Sequence, residues 1–195
     1  EKVIMFHANY PVIGIQECYP VYLTGIGISD PEFHTHRETG LISHQILFTM
    51  SGKGKIIVGD KEYTVGKCSI FYVASGEPHT YYPIDGDWTT YWVVFRGDSL
   101  DALMARLGFD RHVVKTINDI TEVKKLYDQI AAAAREPGDG AGHCSMLVYQ
   151  YILLIHKILI MQQENHTGTV VDNAIVSMEK NYRDDISLQT LASAC

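Results

Sequence analysis

Residues 52–97, GKGKIIVGDKEYTVGKCSIFYVASGEPHTYYPIDGDWTTYWVVFRG, decide the fold. Short apolar runs in this stretch alternate with glycine-centred turns, a pattern typical of the closely spaced strands of a sandwich or barrel. Histidine, tyrosine and tryptophan recur at alternating positions, which places them on one face of a strand. A small β-barrel with a polar and aromatic lining can hold a small molecule, so the stretch predicts a binding site as well as a fold.

Outward from this stretch, the chain predicts further strands on one side and helices on the other. Residues 1–20 are expected to form an arm that leads into the barrel. The apolar period then changes to a helical one beyond residue 97. Strands are predicted at 22–28, 44–50, 55–58, 62–65, 68–73, 79–82 and 88–95, with a turn at 51–54 and a loop at 83–87; helices are predicted at 100–107, 121–135, 143–163, 170–182 and 188–194, with a linker at 162–169.

The third predicted helix carries two adjacent apolar seams. One seam is enough to bury a helix against its own domain, and two seams can also bury it against a second copy. A wholly intramolecular core is the alternative. The seam assigned to a homodimer consists of Leu147, Tyr151, Leu154, Ile158 and Met161. The other seam consists of Val148, Ile152, Ile155 and Leu159.

The bulk composition limits the classes of function. The chain has 195 residues and a net charge of −7, which argues against a large nucleic-acid surface. No apolar run reaches the roughly 18 residues that span a bilayer, so no membrane partner is expected. Four widely spaced cysteines without a Cys-x-x-Cys motif, and the lack of a signal-peptide pattern, favour a reduced, cytoplasmic protein.

Several motifs follow one known pattern in order and spacing: Gly52-Lys53-Gly54, Gly66 before an apolar strand, residues 76–81 (GEPHTY) and residues 88–95 (WTTYWVVF), with Arg37 upstream. They resemble the N-terminal, effector-binding, cupin-type domain of AraC-type (AraC/XylS) bacterial transcription regulators. Residues 174–192 are similar to the opening of the C-terminal DNA-binding domain of that family.

The resemblance implies a mainly β fold with α: a cupin-like (jelly-roll) β-barrel, a helical dimerisation region and the first helices of a helix-turn-helix domain. The corresponding divisions are 1–97, 98–164 and 165–195. It implies a sensor without a cofactor or catalytic activity, in which a small-molecule effector controls the placement of paired DNA-binding domains. The chain is expected to end before any recognition helix, so DNA would be reached only through the missing C-terminal part.

Arg37 is the first candidate ligand residue, because its planar fork of donors suits a hydroxyl, carboxylate or phosphate. A surface pairing with Glu38 is the alternative. The resemblance implies four further ligand residues, at positions that line the pocket or contact the ligand in the sugar-sensing member of the family: Tyr81, Trp92, Thr90 and Leu23. Leu23 is apolar, so the hydrogen bond made at that position would be lost here.

An aromatic face stacks on the apolar C–H face of a sugar, so a sugar is the first candidate effector. Ordinary barrel core is the alternative for Tyr81 and Trp92. His79, at a strand start, is either a ligand donor or a polar residue of the barrel. The arm is expected to close over the pocket as a lid through Phe6, His7, Tyr10 and Pro11.

Two other functions stay open. Cupin barrels are also metalloenzymes, and His34, His36 and His79 offer three imidazoles for Fe, Zn, Ni or Cu. Against this, Gln45 stands where a cupin carries its glutamate ligand, although Glu38 could substitute for it. The third possibility is a dimerisation module without an effector.

Overall fold

The computed structural model describes residues 5–11, 14–136, 140–180 and 189. In this part of the chain, most strands come before the α-helices, as the change of period predicts, but one strand lies between the first and second α-helices. The strands are β1 (Met5–Asn9), β2 (Tyr22–Asp30), β3 (Thr35–Arg37), β4 (His44–Val58), β5 (Lys61–Val65), β6 (Ser69–Val73), β7 (His79–Arg96) and β8 (His112–Thr116); the α-helices are α1 (Leu100–Arg106), α2 (Thr121–Ala133) and α3 (Gly140–Lys180), and a 3-10 helix spans Ile15–Cys18.

The strands pair in the order β1-β2-β7-β4-β6-β8, while β3 pairs with β7 and β5 pairs with β4. Every pairing is antiparallel. The long strands β4 and β7 lie beside each other over most of their length, from His44 opposite Phe95 to Ile57 opposite Thr80. Each therefore belongs to two layers: one half pairs with β2 and β6, the other with β3 and β5.

The β4–β7 ribbon bends where two glycines meet Trp88. Gly52 has a φ of +72°, and a Cβ there would lie 1.6 Å from the carbonyl oxygen of Asp87. A Cβ on Gly54 would lie 2.4 Å from the Trp88 ring. Only glycine lets the two strands approach this closely in this backbone conformation, so the bend depends on these two positions.

Side chains from both halves of the ribbon share one core, which shows that the two layers face each other. Leu47, Phe71 and Trp92 come from one layer, and Ile56, Val65 and Tyr81 come from the other. The predicted fold class, a cupin-like β-barrel followed by helices, is confirmed by this arrangement.

Helices cover the outer face of the β2–β7–β4–β6 layer. The Tyr127 ring of α2 lies 5.7 Å from Phe48 and 4.9 Å from Tyr91. Ser145 of α3 donates a hydrogen bond to the carbonyl oxygen of Val21. On the seam of α3 that was not assigned to the homodimer, the residues Val148, Ile152 and Ile155 are fully buried.

Several predicted boundaries are wrong. The turn at 51–54 and the loop at 83–87 lie inside the continuous strands β4 and β7, because glycine bulges bend the ribbon without ending it. Strands β1, β3 and β8 are short edge strands or three-residue pairings, too brief for a period of two to show.

Helix α3 runs through the segment 162–169, which was predicted to be a linker. That segment is polar but has no proline, so nothing in it must interrupt a helix.

Residues 1–156 form one compact unit and residues 157–195 form another. The helix predicted at 188–194 lies outside the described residues, apart from Gln189. In the described part of the chain, no helix has the length and hydropathy needed to cross a bilayer.

Candidate ligand-binding site

A cavity of about 380 Å³ opens at the mouth of the barrel. Its wall is built by strands β1 to β4, by β7 and by the connections between β2 and β3 and between β3 and β4. The volume lies in the range of small-molecule sites. Polar groups converge on it from four strands, while aromatic rings close one side, so it combines the two features that such sites need.

Arg37 is fixed in this cavity by two neutral partners. Its Nη1 donates to the Tyr81 hydroxyl oxygen at 3.1 Å and to His79 Nε2 at 3.0 Å. The register of β3 on β7, with Arg37 opposite His79, brings the three side chains to one face. The predicted alternative, a surface pair with Glu38, is wrong, because the Glu38 carboxylate lies 3.7 Å from His36 Nε2.

The hydrogen bonds decide the tautomer of His79. Arginine has no acceptor, so His79 Nε2 must accept, and Nδ1 carries the proton that it donates to the Glu77 carbonyl oxygen at 2.7 Å. Burial lowers the pKa of the His79 imidazole, which agrees with a neutral ring. Burial likewise raises the pKa of the Tyr81 hydroxyl. Arg37 thus keeps its full charge beside two neutral groups.

Trp92 forms the aromatic wall of the cavity. Phe6 stacks on it at 6.4 Å between ring centroids, and Tyr10 lies at 5.9 Å. The Trp92 Nε1 donates to Ser29 Oγ at 3.3 Å, and Ser29 also lines the cavity. Phe6 belongs to strand β1, so this part of the predicted arm is a β-strand that pairs with β2. Of the four predicted lid residues, Phe6 and Tyr10 line the cavity, whereas His7 and Pro11 do not.

Glu32 is a functional candidate that the sequence did not reveal. It lines the cavity although only 5% of it is exposed. Its Oε1 accepts from the Phe33 N–H at 2.9 Å, and its Oε2 accepts from the Thr90 hydroxyl. Burial raises the pKa of the Glu32 carboxyl, and its hydrogen bonds and the charge of Arg37 offset that effect in part.

Gln45 lines the same cavity and is 2% exposed. Its Oε1 is buried and has no hydrogen-bond partner among the described residues. Buried side-chain acceptors are normally paired, so an orphan that faces a cavity points to a missing donor.

The predicted ligand residues thus fall into three groups. Arg37, Tyr81 and Trp92 line the cavity, whereas Thr90 and His79 lie behind the wall and orient Glu32 and Arg37. Leu23 does not belong to this site, because it lines a separate cavity beside α3. Thr24 takes its place: side chains alternate across a strand, so an offset of one residue selects the wrong face.

The predicted three-histidine metal site is not assembled. His36 Nδ1 lies 2.7 Å from Thr80 Oγ1, on the face of the β3–β7 pairing opposite to Arg37 and His79. The His34 ring packs on Tyr82 at 5.2 Å. Across the described ranges, no three His, Cys, Asp or Glu side chains are grouped closely enough to hold a metal ion.

Comparison with known proteins gives one family and several distant folds. The model of the family "AraC-like ligand binding domain" matches residues 20–144. No curated protein matches the chain. Among solved structures, the apo form of a ToxT variant from Vibrio cholerae is 8% identical with a TM-score of 0.44, and the match covers 96% of this chain and 69% of that one. A Cupin 2 conserved barrel domain protein from Salinispora arenicola is 13% identical with a TM-score of 0.37, covering 53% of this chain and 84% of that one.

Proposed function

Because the chain belongs to the family of AraC-like ligand-binding domains, we propose that it is the ligand-sensing and dimerisation part of a cytoplasmic AraC-type transcription regulator. A small-molecule effector binds in the barrel cavity and controls the placement of DNA-binding domains C-terminal to the barrel and its helices. The observation that carries the proposal is the convergence of Arg37, Glu32 and Gln45 on one cavity beside the Trp92 wall.

A sugar or sugar derivative is the proposed effector. The Trp92 face suits the C–H face of a pyranose or furanose ring, and the Arg37 guanidinium suits its hydroxyl oxygens. Nη1 of Arg37 is already used by His79 and Tyr81, so a ligand would accept from the other N–H groups of the fork.

A second copy of the chain is the proposed partner of α3. Leu147 and Tyr151 of the predicted seam are buried within a single chain, so they cannot serve a second copy without rearrangement. Leu154 and Ile158 are half-buried, and the side chain of Met161 is not among those that the structure describes. A different stripe of α3 is exposed at helical spacing: Met146, Tyr149 and Leu153, at 69%, 42% and 37%.

The exposed stripe borders an apolar groove of about 970 Å³, which Met146 and Tyr149 share with Leu100 and Leu103 of α1. Few charged groups line the groove, so two copies can meet there without burying unpaired charge. The family resemblance favours a second copy as the occupant. We therefore place the proposed dimer face on this stripe and groove.

A thermal-shift screen tests the sensor. The chain is incubated with monosaccharides, disaccharides, sugar acids and small aromatic acids, with and without EDTA. An effector at 100 times its dissociation constant adds roughly 2.7 kcal/mol, a shift of several degrees. The Arg37→Ala, Trp92→Ala double variant is expected to lose the shift, whereas His36→Ala, on the opposite face of β3, keeps it.

Two outcomes contradict the proposal. A shift that survives in the double variant would place the effector elsewhere. A stable dimer that responds to no compound in the screen would favour a dimerisation module without an effector.

A further inference from the structure

Two acceptors in the barrel cavity have no assigned role. We propose that the Glu32 carboxylate and the Gln45 side-chain carbonyl form an acceptor pair that selects effectors presenting hydroxyl donors, which makes Glu32 a specificity-determining residue. The inference rests on the proposed function, since it concerns the same cavity, and it narrows the effector to neutral, polyhydroxylated molecules.

The carboxyl group of Glu32 is held in one orientation. The Phe33 N–H fixes one oxygen and the Thr90 hydroxyl fixes the other, while the Glu32 backbone N–H donates to the Trp88 carbonyl oxygen at 2.6 Å. The Ser29 side chain is a third hydrogen-bond partner of this carboxyl group, and the two carboxylate oxygens together can accept about four hydrogen bonds. Glu32 forms no ion pair within the described ranges, and Arg37 acts on it only from a longer distance. Its spare acceptor capacity is therefore open to a ligand.

Gln45 supplies the second, independent observation. It comes from β4, whereas Glu32 lies on the connection between β2 and β3, and its buried Oε1 has no partner among the described residues. Leaving a buried acceptor unpaired costs stability that a ligand donor would restore. Two buried acceptors of different chemistry thus line one cavity: Gln45 Oε1 has no donor among the described residues, and Glu32 can accept one further hydrogen bond.

The charges in the cavity decide which donors fit. Arg37 and Arg96 both line it, so a cationic amine would meet two guanidinium groups. An anion would be attracted by the two arginines but would bring a second negative charge into the cavity beside the buried carboxylate of Glu32. A neutral polyol avoids both repulsions, because its hydroxyl groups donate to Glu32 and Gln45 and accept from Arg37. Its C–H face packs on Trp92.

The test is calorimetric titration with matched ligands: neutral aldohexoses and aldopentoses, the corresponding uronic acids and the corresponding 2-amino sugars. The wild-type chain is expected to bind a neutral sugar at least tenfold more tightly than its acid or amine. Glu32→Gln keeps an acceptor for the Phe33 N–H and a partner for Thr90, so it should remain folded and lose at least tenfold in affinity. The control Glu38→Gln, on an exposed side chain, is expected to bind as the wild type does.

Gln45→Leu provides a second variant. It removes the orphan acceptor, so it is expected to melt no lower than the wild type without ligand and to bind the sugar at least tenfold more weakly. Unchanged affinity in both Glu32→Gln and Gln45→Leu would overturn the acceptor pair and leave the sensor function intact. Tighter binding of an acid or an amine by the wild type would overturn the ligand class. If no sugar in the series binds, the inference is wrong, and the broader screen above judges the sensor function separately.

Discussion

At the scale of single residues, the Arg37 site is built from neutral neighbours. A carboxylate directly paired with Arg37 would have to be displaced by any effector oxygen. Instead, the His79 ring and the Tyr81 hydroxyl hold the guanidinium without neutralising it. The Arg37 guanidinium is thus oriented before the effector binds, which lowers the entropic cost of ordering this side chain on binding.

This arrangement predicts a pH dependence of stability. The pKa of His79 is lowered in the folded chain, so the unfolded chain binds more protons as the pH falls below about 6.5. The stabilisation is complete above that pH and is lost as the pH falls through the folded-state pKa, by at most about 1.4 kcal/mol per pH unit. His79→Gln, which retains an acceptor for Arg37, is expected to lose less stability between pH 7.5 and pH 5 than the wild type.

Urea unfolding at several pH values measures the effect. His36→Gln is the control, because His36 lies on the exposed face of β3. Burial also lowers the pKa of His44 and gives a slope of the same sign, but that slope is common to all three proteins. Equal slopes for the wild type and His79→Gln would show that burial does not hold the His79 ring neutral in the folded chain.

The sequence predicts the site in part, and the reason differs from residue to residue. Tyr81 and Trp92 follow from the alternation of β7, which a period of two makes visible. Glu32 follows Pro31 in a connection without periodicity, so only the folded chain shows that Thr90 anchors it. The sole hint in the sequence is a carboxylate beside an aromatic residue, which many exposed loops share.

At the scale of elements, the bent β4–β7 ribbon organises the barrel. The sequence suggests strands and turns correctly in kind, but Gly52, Gly54 and Pro83 look like the ends of strands. In the structure they bend strands that continue, because the partner strand is irregular at the same place. The sequence of one strand cannot show whether a glycine bends the strand or ends it, because this depends on how the partner strand pairs with it.

Gly52→Ala tests the bend. The left-handed backbone conformation costs a non-glycine residue about 1–3 kcal/mol, and the approach to the Asp87 carbonyl oxygen adds to it. The variant is expected to lose at least about 2 kcal/mol in urea unfolding. Gly66→Ala is the matched control, because a Cβ there meets no atom closer than 3.9 Å. A variant Gly52→Ala as stable as Gly66→Ala would mean that the bend tolerates a side chain.

At the scale of the whole molecule, α3 serves the barrel and presents a second surface. Val148, Ile152 and Ile155 face the interior, whereas Met146, Tyr149 and Leu153 do not. The sequence shows that α3 has two seams, but both predicted seams contain residues that the single chain buries. The seams are adjacent, so a small rotation of the helix decides which residues are covered, and periodicity alone does not fix that rotation.

The pair Tyr149→Glu, Leu153→Glu tests the dimer face. Charges placed on the exposed stripe should give a folded monomer, because two copies would bury unpaired carboxylates. Sedimentation velocity measures the mass and circular dichroism checks the fold. Leu154→Glu, on the seam predicted from the sequence, is the comparison. If Leu154→Glu is a monomer and the Tyr149→Glu, Leu153→Glu double variant is still a dimer, the interface lies on the predicted seam and not on the exposed stripe.

The two tryptophans of the chain lie in different surroundings. Trp88 is fully buried at the bend and donates to Thr49 Oγ1 at 3.0 Å, while Trp92 forms the wall of the cavity under Phe6 and Tyr10. An occupant of the cavity changes the polarity around Trp92 and leaves that around Trp88 as it was. The chain therefore carries its own optical probe: Trp88→Phe isolates an emission that follows occupancy, and Trp92→Phe leaves one that stays constant.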